Sequence, residues 1–220
     1  MYLFLAAALA AIRRHFSNFR PQCGALTDKE LLAGLRRHDR AAQRELLRAY
    51  GPRLHRLIIR AGFGPEDAEE LLHDVLLLAC TRVDRFREES SLATWLYRLA
   101  TNRIYDRWRY NQREKRQAPT ESLYRLDDEL PRLDLPPAAT EADRYDRAWL
   151  AELLQQALSR LPHKQRIAFL LTQEEGLSYD EAAATLELSR NALESLIFRA
   201  RQQLRRMLQK YYEENYPNRK

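Results

Sequence analysis

Hydrophobic residues in this sequence recur at intervals of three and four residues, and no segment alternates apolar with polar residues as a strand does. Such intervals place apolar side chains along one face of an α-helix. The chain has only 6 glycines in 220 residues and abundant Leu, Ala, Arg and Glu, which favours helix further. The sequence therefore predicts an all-α fold, with two small helical domains joined by an extended acidic linker.

The balance of charge and the cysteine content narrow the class of partner. A net charge of +6 and an isoelectric point near 9.4 favour an acidic partner, either nucleic acid or a membrane surface. Cys23 and Cys80 form no C-x-x-C motif, so the sequence indicates neither a disulfide framework nor a zinc site. We expect a cytoplasmic protein that needs no metal or other cofactor.

The first 25 residues contain an apolar run, Tyr2 to Ile12, followed by arginines. This run is too short to cross a membrane, which takes about 20 residues. A signal peptide would carry its positive charge before the run rather than after it. Three interpretations stay open for residues 1–25: an amphipathic extension, a start codon assigned too early, or weak membrane contact or targeting.

Residues 26–116 are predicted to form the first domain, and its first helices have clear start signals. Thr27 and Glu30 have the spacing of a capping box, and a second helix is expected over Arg40–Arg60. Two glycines then break the chain, and Pro65 suits the first turn of a third helix. The core residues expected of these helices are Leu31, Leu32, Leu35, Leu46, Leu47, Tyr50, Leu54, Leu57, Ile58, Ala68, Leu71, Leu72, Val75 and Ala79.

The outward side of the third helix carries Glu70, His73, Asp74 and Leu77 at intervals of three and four residues. An acidic face with an exposed leucine is typical of a surface that docks on another protein, but ordinary solvated faces have the same composition. Both interpretations stay open. His73 has no second histidine at ligand spacing, so it is not predicted to bind a metal.

A fourth helix is expected from Leu92 past Tyr110, with Ser90 or Ser91 as its N-cap. Its predicted core residues are Trp95, Leu96, Leu99, Ala100 and Ile104. Beside them runs an exposed row of cations, an amide and an aromatic ring: Arg98, Asn102, Tyr105 and Arg109. Such a row suits a nucleic-acid strand, because arginines neutralise phosphates and aromatic rings stack on unpaired bases. The alternative is a solvated basic helix.

Residues 117–147 contain four prolines and more acidic than basic residues, which predicts an extended acidic linker. The second domain is predicted over residues 148–208, with a tail at 209–220. Pro162 is expected to open its second helix and Gly176 to cap the C-terminus of that helix. The core residues expected of the helix before Pro162 are Leu150, Leu153, Leu154, Leu158 and Leu161.

A helix-turn-helix is predicted near the end of the second domain. Ser178 and Glu181 form a capping box before a short helix, a turn follows at Glu187 and Leu188, and Ser189 caps a long helix. The second helix of such a motif enters the major groove of DNA. A plain helical hairpin is the alternative, which the arginines of the long helix disfavour. The core residues expected of the long helix are Leu193, Leu196, Ile197, Ala200 and Leu204.

Three stretches follow one another in the chain: EDAEELLHDVLLLA, FREESSLATWLYRLATNRIYDRWR and LPHKQRIAFLLTQEEGLSYDEAAATLELSRNALESLIFRARQQL. Together they resemble the extracytoplasmic-function (ECF) sigma factors of the bacterial sigma-70 family, over residues 26–206. The resemblance implies a transcription initiation subunit that docks on core RNA polymerase, directs it to promoter DNA and melts the minus-ten element. It also implies an anti-sigma factor as partner, no small-molecule substrate and no catalytic residue.

The resemblance implies roles for individual residues as well. Those implied in binding the polymerase clamp helices are Glu70, His73, Asp74 and Leu77. Those implied in minus-ten recognition and melting are Phe86, Arg87, Ser90, Ser91, Trp95, Arg98, Asn102, Arg103, Tyr105 and Arg109, and the loop from Phe86 to Ser91 would receive a flipped base. Those implied in reading the minus-thirty-five element are Ser189, Arg190, Asn191, Glu194, Ser195, Phe198, Arg199 and Arg201. The acidic linker resembles the segment that threads the polymerase active-site channel.

The helix-turn-helix departs from the family pattern at several positions. The family usually has glycine at the position of Glu187, a small residue or threonine at Ala192, and cations at Glu194 and Leu196. Losing two cations removes phosphate contacts, so how this helix reads upstream DNA stays open. Two other classes remain: a regulator that binds duplex DNA without polymerase, and an enzyme acting on nucleic acid, for which the sequence has no metal, acid-base or phosphate-cradling motif.

Overall fold

A computed structural model describes residues 26–117 and 147–215. The helices of the first range are α1 (Asp28–Arg36), α2 (Arg40–Arg60), α3 (Pro65–Arg82), a 3₁₀ turn (Val83–Arg85) and α4 (Leu92–Gln117). Those of the second range are α5 (Arg147–Ser159), α6 (His163–Gln173), α7 (Tyr179–Leu186) and α8 (Arg190–Asn215). The described ranges contain no strand, which confirms the all-α prediction. The N-terminal 25 residues, the interior of the predicted linker and the last five residues lie outside them.

The described helices group into two compact units by their contacts. One unit contains α1, α2, α3 and α4 together with α7, and the other contains α5, α6 and α8. The domain boundaries drawn from the sequence, at residues 26–116 and 148–208, stay predictions.

The capping box at the start of α1 is confirmed. The amide of Glu30 donates to Oγ1 of Thr27 at 3.3 Å, and the amide of Thr27 donates to Oε2 of Glu30 at 2.8 Å. These two bonds satisfy backbone donors that have no partner within the helix. Leu31, Leu32 and Leu35 are buried, as the spacing predicted.

The second and third helices begin and end close to their predicted positions. The amide of Ala41 donates to Oδ1 of Asp39 at 2.8 Å, which caps α2, and Pro65 occupies the first turn of α3. The predicted burial of Leu47 is wrong, since half of this side chain is exposed. Tyr50 and Leu72 are half-buried, and the other predicted core residues of α1, α2 and α3 are buried.

The N-cap of α4 is Ser91 rather than Ser90. Oγ of Ser91 accepts a hydrogen bond from the amide of Thr94 at 3.1 Å. Of the predicted core residues, Trp95 is only half-buried and the other four are buried. The pattern missed two large core residues of this helix, Tyr97 and Trp108. The ring of Trp108 stacks on that of Phe63 with centroids 5.8 Å apart.

The helices of the second unit follow the predicted leucine spacing. Leu153, Leu154, Leu158 and Leu161 are buried. Pro162 precedes α6, as expected, but Gly176 is not its C-cap: α6 ends at Gln173, Glu174 is its C-cap, and Gly176 takes a φ of 72° further along. The left-handed residue therefore belongs to the connection between α6 and α7, where only glycine adopts such an angle without strain.

The short helix and turn of the predicted helix-turn-helix are present. The amide of Glu181 donates to Oγ of Ser178 at 3.2 Å and the amide of Ser178 to Oε2 of Glu181 at 2.9 Å, which confirms the second capping box. Glu187 ends α7 with a φ of 54°, a left-handed angle that costs a residue with a Cβ about 1 kcal/mol. Ser189 directly precedes the first residue of α8. Of the core residues predicted for α8, Leu196 is half-buried and the other four are buried.

Candidate nucleic-acid interface

The outward face of α4 differs in part from the predicted row. Asn102 and Arg109 are exposed, but Arg98 and Tyr105 are half-buried, so the prediction of a fully exposed row is wrong at these two residues. The ring of Tyr105 meets that of Trp108 edge-on with centroids 5.5 Å apart. This burial raises the pKa of Tyr105 to about 12. Tyr105 therefore packs against the core rather than offering an open ring face.

The arginines of α4 already have polar neighbours within the protein. Nη2 of Arg98 donates to the carbonyl oxygen of Ala184 on α7 at 3.2 Å. Arg109 forms an ion pair with Asp106, and Nη1 of Arg103 lies 3.9 Å from Oδ2 of the same carboxylate. Because Asp106 offsets part of their charge, this face is less positive than a count of its arginines suggests.

Two residues that the sequence reasoning did not select extend the outward face of α4. Arg113 is exposed and follows Arg109 by four residues, and Tyr110 is 57% exposed. At 100° per residue, Asn102, Arg109 and Arg113 fall within about 40° of one another around the helix axis, with Tyr110 on the same side. The signal for Arg113 was in the sequence, as a continuation of the same spacing by one more turn.

The loop between the 3₁₀ turn and α4, hereafter the 86–91 loop, has a buried start. The Phe86 ring is only 6% exposed and lies 5.0 Å from the Trp95 ring between centroids. The Phe86 ring therefore belongs to the core in this structure, and the implied role of Phe86 in contacting DNA stays a prediction. Arg87 is exposed, Ser90 is half-buried, and Ser91 is exposed while its hydroxyl caps α4.

The outward side of α3 presents Glu70, His73 and Leu77, the last of which is 54% exposed, while Asp74 is half-buried. We call these four residues the docking surface. Glu70 is engaged within the protein, since its Oε1 lies 2.6 Å from Nη2 of Arg107 on α4. The hydrogen bond with Glu70 raises the pKa of Arg107 above its ordinary value. The docking surface therefore combines acidic groups with an exposed apolar side chain. Arg107 of α4 binds one of the acidic groups, Glu70.

The start of α8 presents polar groups and one large ring to solvent. Phe198 is 66% exposed. Arg190 forms an ion pair with Asp180, with Nη1 3.0 Å from Oδ2, and Oγ of Ser195 donates to the carbonyl oxygen of Asn191 at 2.9 Å. The other exposed residues implied in DNA reading are Ser189, Asn191, Glu194, Ser195, Arg199 and Arg201.

Residues 26–117 and 147–215 contain neither a candidate metal site nor a candidate membrane-spanning helix. In these ranges, no group of three or more His, Cys, Asp and Glu side chains is placed to hold a metal ion. None of the helices described has the length and apolar character needed to cross a membrane.

Comparison with known proteins decides the family. A family model for sigma-70 region 2 matches residues 46–114, and one for sigma-70 region 4 matches residues 151–204. The ECF RNA polymerase sigma factor SigM of Mycobacterium tuberculosis is 32% identical over 182 residues, which cover 83% of this chain and 85% of SigM. This chain belongs to the ECF sigma factors of the sigma-70 family. The sigma factor directs promoter-specific transcription by RNA polymerase.

Other relatives of this sigma factor also match it over most of its length. The ECF RNA polymerase sigma-E factor of Escherichia coli (strain K12) is 29% identical over 182 residues, covering 80% of this chain and 92% of sigma-E. The solved structure of the sigma factor RpoE in complex with the anti-sigma factor NepR, from Bartonella quintana, is 27% identical with a TM-score of 0.57. It covers 76% of this chain and 96% of RpoE. The structure of CnrH with the cytosolic domain of CnrY, 23% identical with a TM-score of 0.60 over 83% of this chain and 97% of CnrH, shows the same fold.

The matched regions align with the helices of this sigma factor. The region 2 match begins within α2, contains α3 and extends through most of α4, so it includes the docking surface, the 86–91 loop and the outward face of α4. The region 4 match contains most of α5, all of α6 and α7, and the first half of α8. The candidate interfaces therefore lie inside the two regions that define the family.

Proposed function

We propose that this sigma factor works in the cytoplasm, binds core RNA polymerase and promoter DNA, and holds the opened minus-ten strand on α4, without supplying a catalytic group. The observation that carries the proposal is the outward face of α4. It combines the exposed side chains of Asn102, Arg109 and Arg113 with the exposed ring of Tyr110. Cations bind a phosphate backbone, and an exposed aromatic side chain can stack on an unpaired base at about 1–3 kcal/mol.

Strand separation on this surface needs binding energy rather than chemistry. Unpairing costs a few kcal/mol per extruded base, and stacking and pocket contacts with the extruded base offset that cost. We assign the pocket for the extruded base to the 86–91 loop, where Arg87 and Ser90 would contact that base. We assign the contacts with the opened strand to Asn102, Arg103 and Arg109. Trp95 and Arg98 then border the pocket on α4.

The docking surface on α3 is assigned to core polymerase. Its acidic groups suit a basic partner, and Leu77 adds apolar contact area at the C-terminal end of the row. Electrostatic complementarity of this kind sets the rate and orientation of association, while burial of Leu77 in the complex would slow dissociation.

The start of α8 is assigned to upstream duplex DNA, since the residues in the first turns of such a helix reach base edges. Asn191, Glu194 and Ser195 are exposed there and can form hydrogen bonds with bases, while Arg199 and Arg201 suit phosphate. An anti-sigma factor is the regulatory partner that we propose, because RpoE was solved in complex with one.

Melting by α4 can be tested through Tyr110. A promoter is first recovered from a random-sequence pool with the reconstituted holoenzyme, and run-off transcription confirms initiation. Tyr110→Ala should then lower the permanganate reactivity of unpaired thymines at least about fivefold, because a stacking contact is lost. Tyr110→Phe, which keeps the ring, should match the parent, and neither change should alter affinity for core polymerase. Equal reactivity of Tyr110→Ala and the parent would refute the role of this face.

Docking can be tested with a matched pair of leucines. Leu77 on α3 and Leu47 on α2 are exposed to nearly the same extent, 54% and 50%. Leu77→Ser combined with Asp74→Lys should weaken competition for core polymerase at least about tenfold, whereas Leu47→Ser combined with Glu69→Lys should not. A gel shift of promoter duplex by the sigma factor alone, as strong as that of the holoenzyme, would instead favour a regulator that acts without polymerase.

A further inference from the structure

One arginine of α1 reaches across to the 86–91 loop. Nη2 of Arg36 donates to the carbonyl oxygen of Phe86 at 3.1 Å and lies 3.0 Å from Oε1 of Glu88. A single guanidinium thus holds both the backbone and a side chain of the loop. The N–H donors of a guanidinium group lie in one fixed plane. Two acceptors bound by the same guanidinium group are therefore held in a defined position relative to each other.

The backbone of the loop needs such support. Glu88 has a φ of 58°, a left-handed angle that residues with a Cβ rarely adopt. A residue in this conformation persists when surrounding contacts hold it there. Arg36 makes two contacts close to this strained residue. One is with the carbonyl group of Phe86, two residues earlier, and the other is with the side chain of Glu88 itself.

The other contacts of the loop fix its ends and leave its middle open. The Phe86 ring is buried against Trp95, and Ser91 caps α4 through its hydroxyl. Between these two anchors, Arg87 and Glu89 are exposed and Ser90 is half-buried. These three side chains are the polar groups between the two anchors that Arg36 does not bind, and their placement depends on the backbone at Glu88.

We propose that Arg36 is a positioning residue for recognition of the flipped base, acting through the conformation of the 86–91 loop. The inference rests on the proposed function of that loop. A role in stability alone does not account for the contact, since the side chains of Arg36 and Glu88 are 38% and 47% exposed, and ion pairs so exposed add little to folding. What the contact defines is the geometry of the loop.

The test compares two single-stranded probes on holoenzymes that carry the full-length sigma factor. The first probe is the minus-ten strand of a promoter recovered from a random-sequence pool. The second is the same strand made abasic at the position where loss of the base weakens parent binding most. Dissociation constants are measured by fluorescence anisotropy at one salt concentration. The variants are Arg36→Ala, Glu88→Gly and the control Arg37→Ala, which removes an exposed arginine at the same end of α1.

The parent should bind the intact strand about tenfold more tightly than the abasic strand, because the pocket contributes binding energy only when a base occupies it. Arg36→Ala should lose most of that preference, because it should weaken binding of the intact strand and leave binding of the abasic strand unchanged. Glu88→Gly should also lower the ratio, and it keeps the fold intact because glycine tolerates the left-handed angle. Arg37→Ala should keep the parent ratio.

Equal weakening of both probes by Arg36→Ala would mean that Arg36 only supports the fold, which overturns the proposal. A parent ratio retained by both Arg36→Ala and Glu88→Gly would overturn it as well. If the parent holoenzyme does not distinguish the two probes, the assignment of the 86–91 loop as a base pocket falls, and the role of Arg36 falls with it. If Arg36→Ala does not fold, the ratio of Glu88→Gly decides between these outcomes.

Discussion

Arg107 on α4 binds two carboxylates of α3 at once: its Nη2 lies 2.6 Å from Oε1 of Glu70, and its Nη1 lies 3.1 Å from Oδ1 of Asp67. The two acidic residues are three positions apart and so occupy one side of α3. Since Glu70 belongs to the docking surface, the bridge fixes part of that surface relative to α4, whose outward face we propose to bind the opened strand.

We expect this bridge to contribute measurably to stability. The Arg107 side chain is 21% exposed and that of Glu70 is 62% exposed, so the ion pair is only partly shielded from solvent screening. A double-mutant cycle with Arg107→Ala and Glu70→Gln should give a coupling energy of about 0.5–1 kcal/mol in urea denaturation. The control cycle uses Arg48 and Glu45, an ion pair within α2 whose side chains are 54% and 12% exposed and which joins no second helix. No measurable coupling between Arg107 and Glu70 would show that the bridge does not join the two helices energetically.

The proposed contact between α8 and upstream DNA can be tested at Glu194, whose exposed side chain lies near the start of α8. If Glu194 merely repels phosphate, Glu194→Lys should raise affinity evenly across promoter sequences and steepen the dependence on salt by about one counterion. If it accepts a hydrogen bond from a cytosine amino group, the change should instead alter base preference at one position of a selected pool. We expect the first result, because Leu196 also stands where the family has a cation.

A variant with neither effect would show that this side of α8 does not face DNA. Arg190 is unsuitable as a control, since its pairing with Asp180 would be broken at the same time. Gln202→Lys, an exposed change about two turns further along α8, introduces a lysine beyond the first turns of the helix. It should leave base preference unchanged.

The turn after α7 should tolerate glycine better than the residue it has. Glu187 has a φ of 54°, so Glu187→Gly relieves the strain of a left-handed residue with a Cβ. The free energy of unfolding in urea should rise by up to about 1 kcal/mol. Gln202→Gly, in the interior of α8, should lower it by a similar amount because glycine disfavours helix. A loss of stability in both variants would indicate that the Glu187 side chain contributes more than its backbone angle costs.

Alkaline titration should report the burial of Tyr105. Its pKa is raised to about 12 in the folded protein, against an ordinary value of about 10 in the unfolded chain. Because burial favours the protonated form, the associated stability is complete below pH ~10 and is lost as the pH rises toward ~12. The stability of Tyr105→Phe should fall less over this window than that of the parent. Ionisation is followed by absorbance at alkaline pH, and a Tyr105 that titrates near 10 would contradict the packing against Trp108.

The sequence predicted the helices well because their signals are local. Capping boxes and apolar spacing depend on residues three or four positions apart, so the starts of α1 and α7 followed from the sequence alone. The failures were of another kind. Periodicity places Leu47 on the apolar side of α2 and Tyr105 on the polar side of α4, but only the packing of neighbouring helices determines which side is covered.

For the candidate site too, the sequence predicted the features that depend on local spacing and missed those that depend on tertiary packing. The outward face of α4 and the docking surface follow from spacing, and the family resemblance supplied their roles. The ion pairs that modify them do not follow, because Arg107 and Glu70 are far apart in sequence, as are Arg36 and the 86–91 loop. Such contacts depend on tertiary structure, which no periodic pattern encodes.

The separation of 50 positions between Arg36 and Phe86 has a consequence for the order of folding. Contacts close in sequence, such as the Ser91 cap of α4, form early, whereas contacts across long loops must first overcome the entropy of closure. The 86–91 loop can thus reach its final backbone only after α1 has packed beside it. In stopped-flow refolding, helical circular dichroism should recover first, and the emission of Trp95, whose ring contacts Phe86, should settle in a later phase.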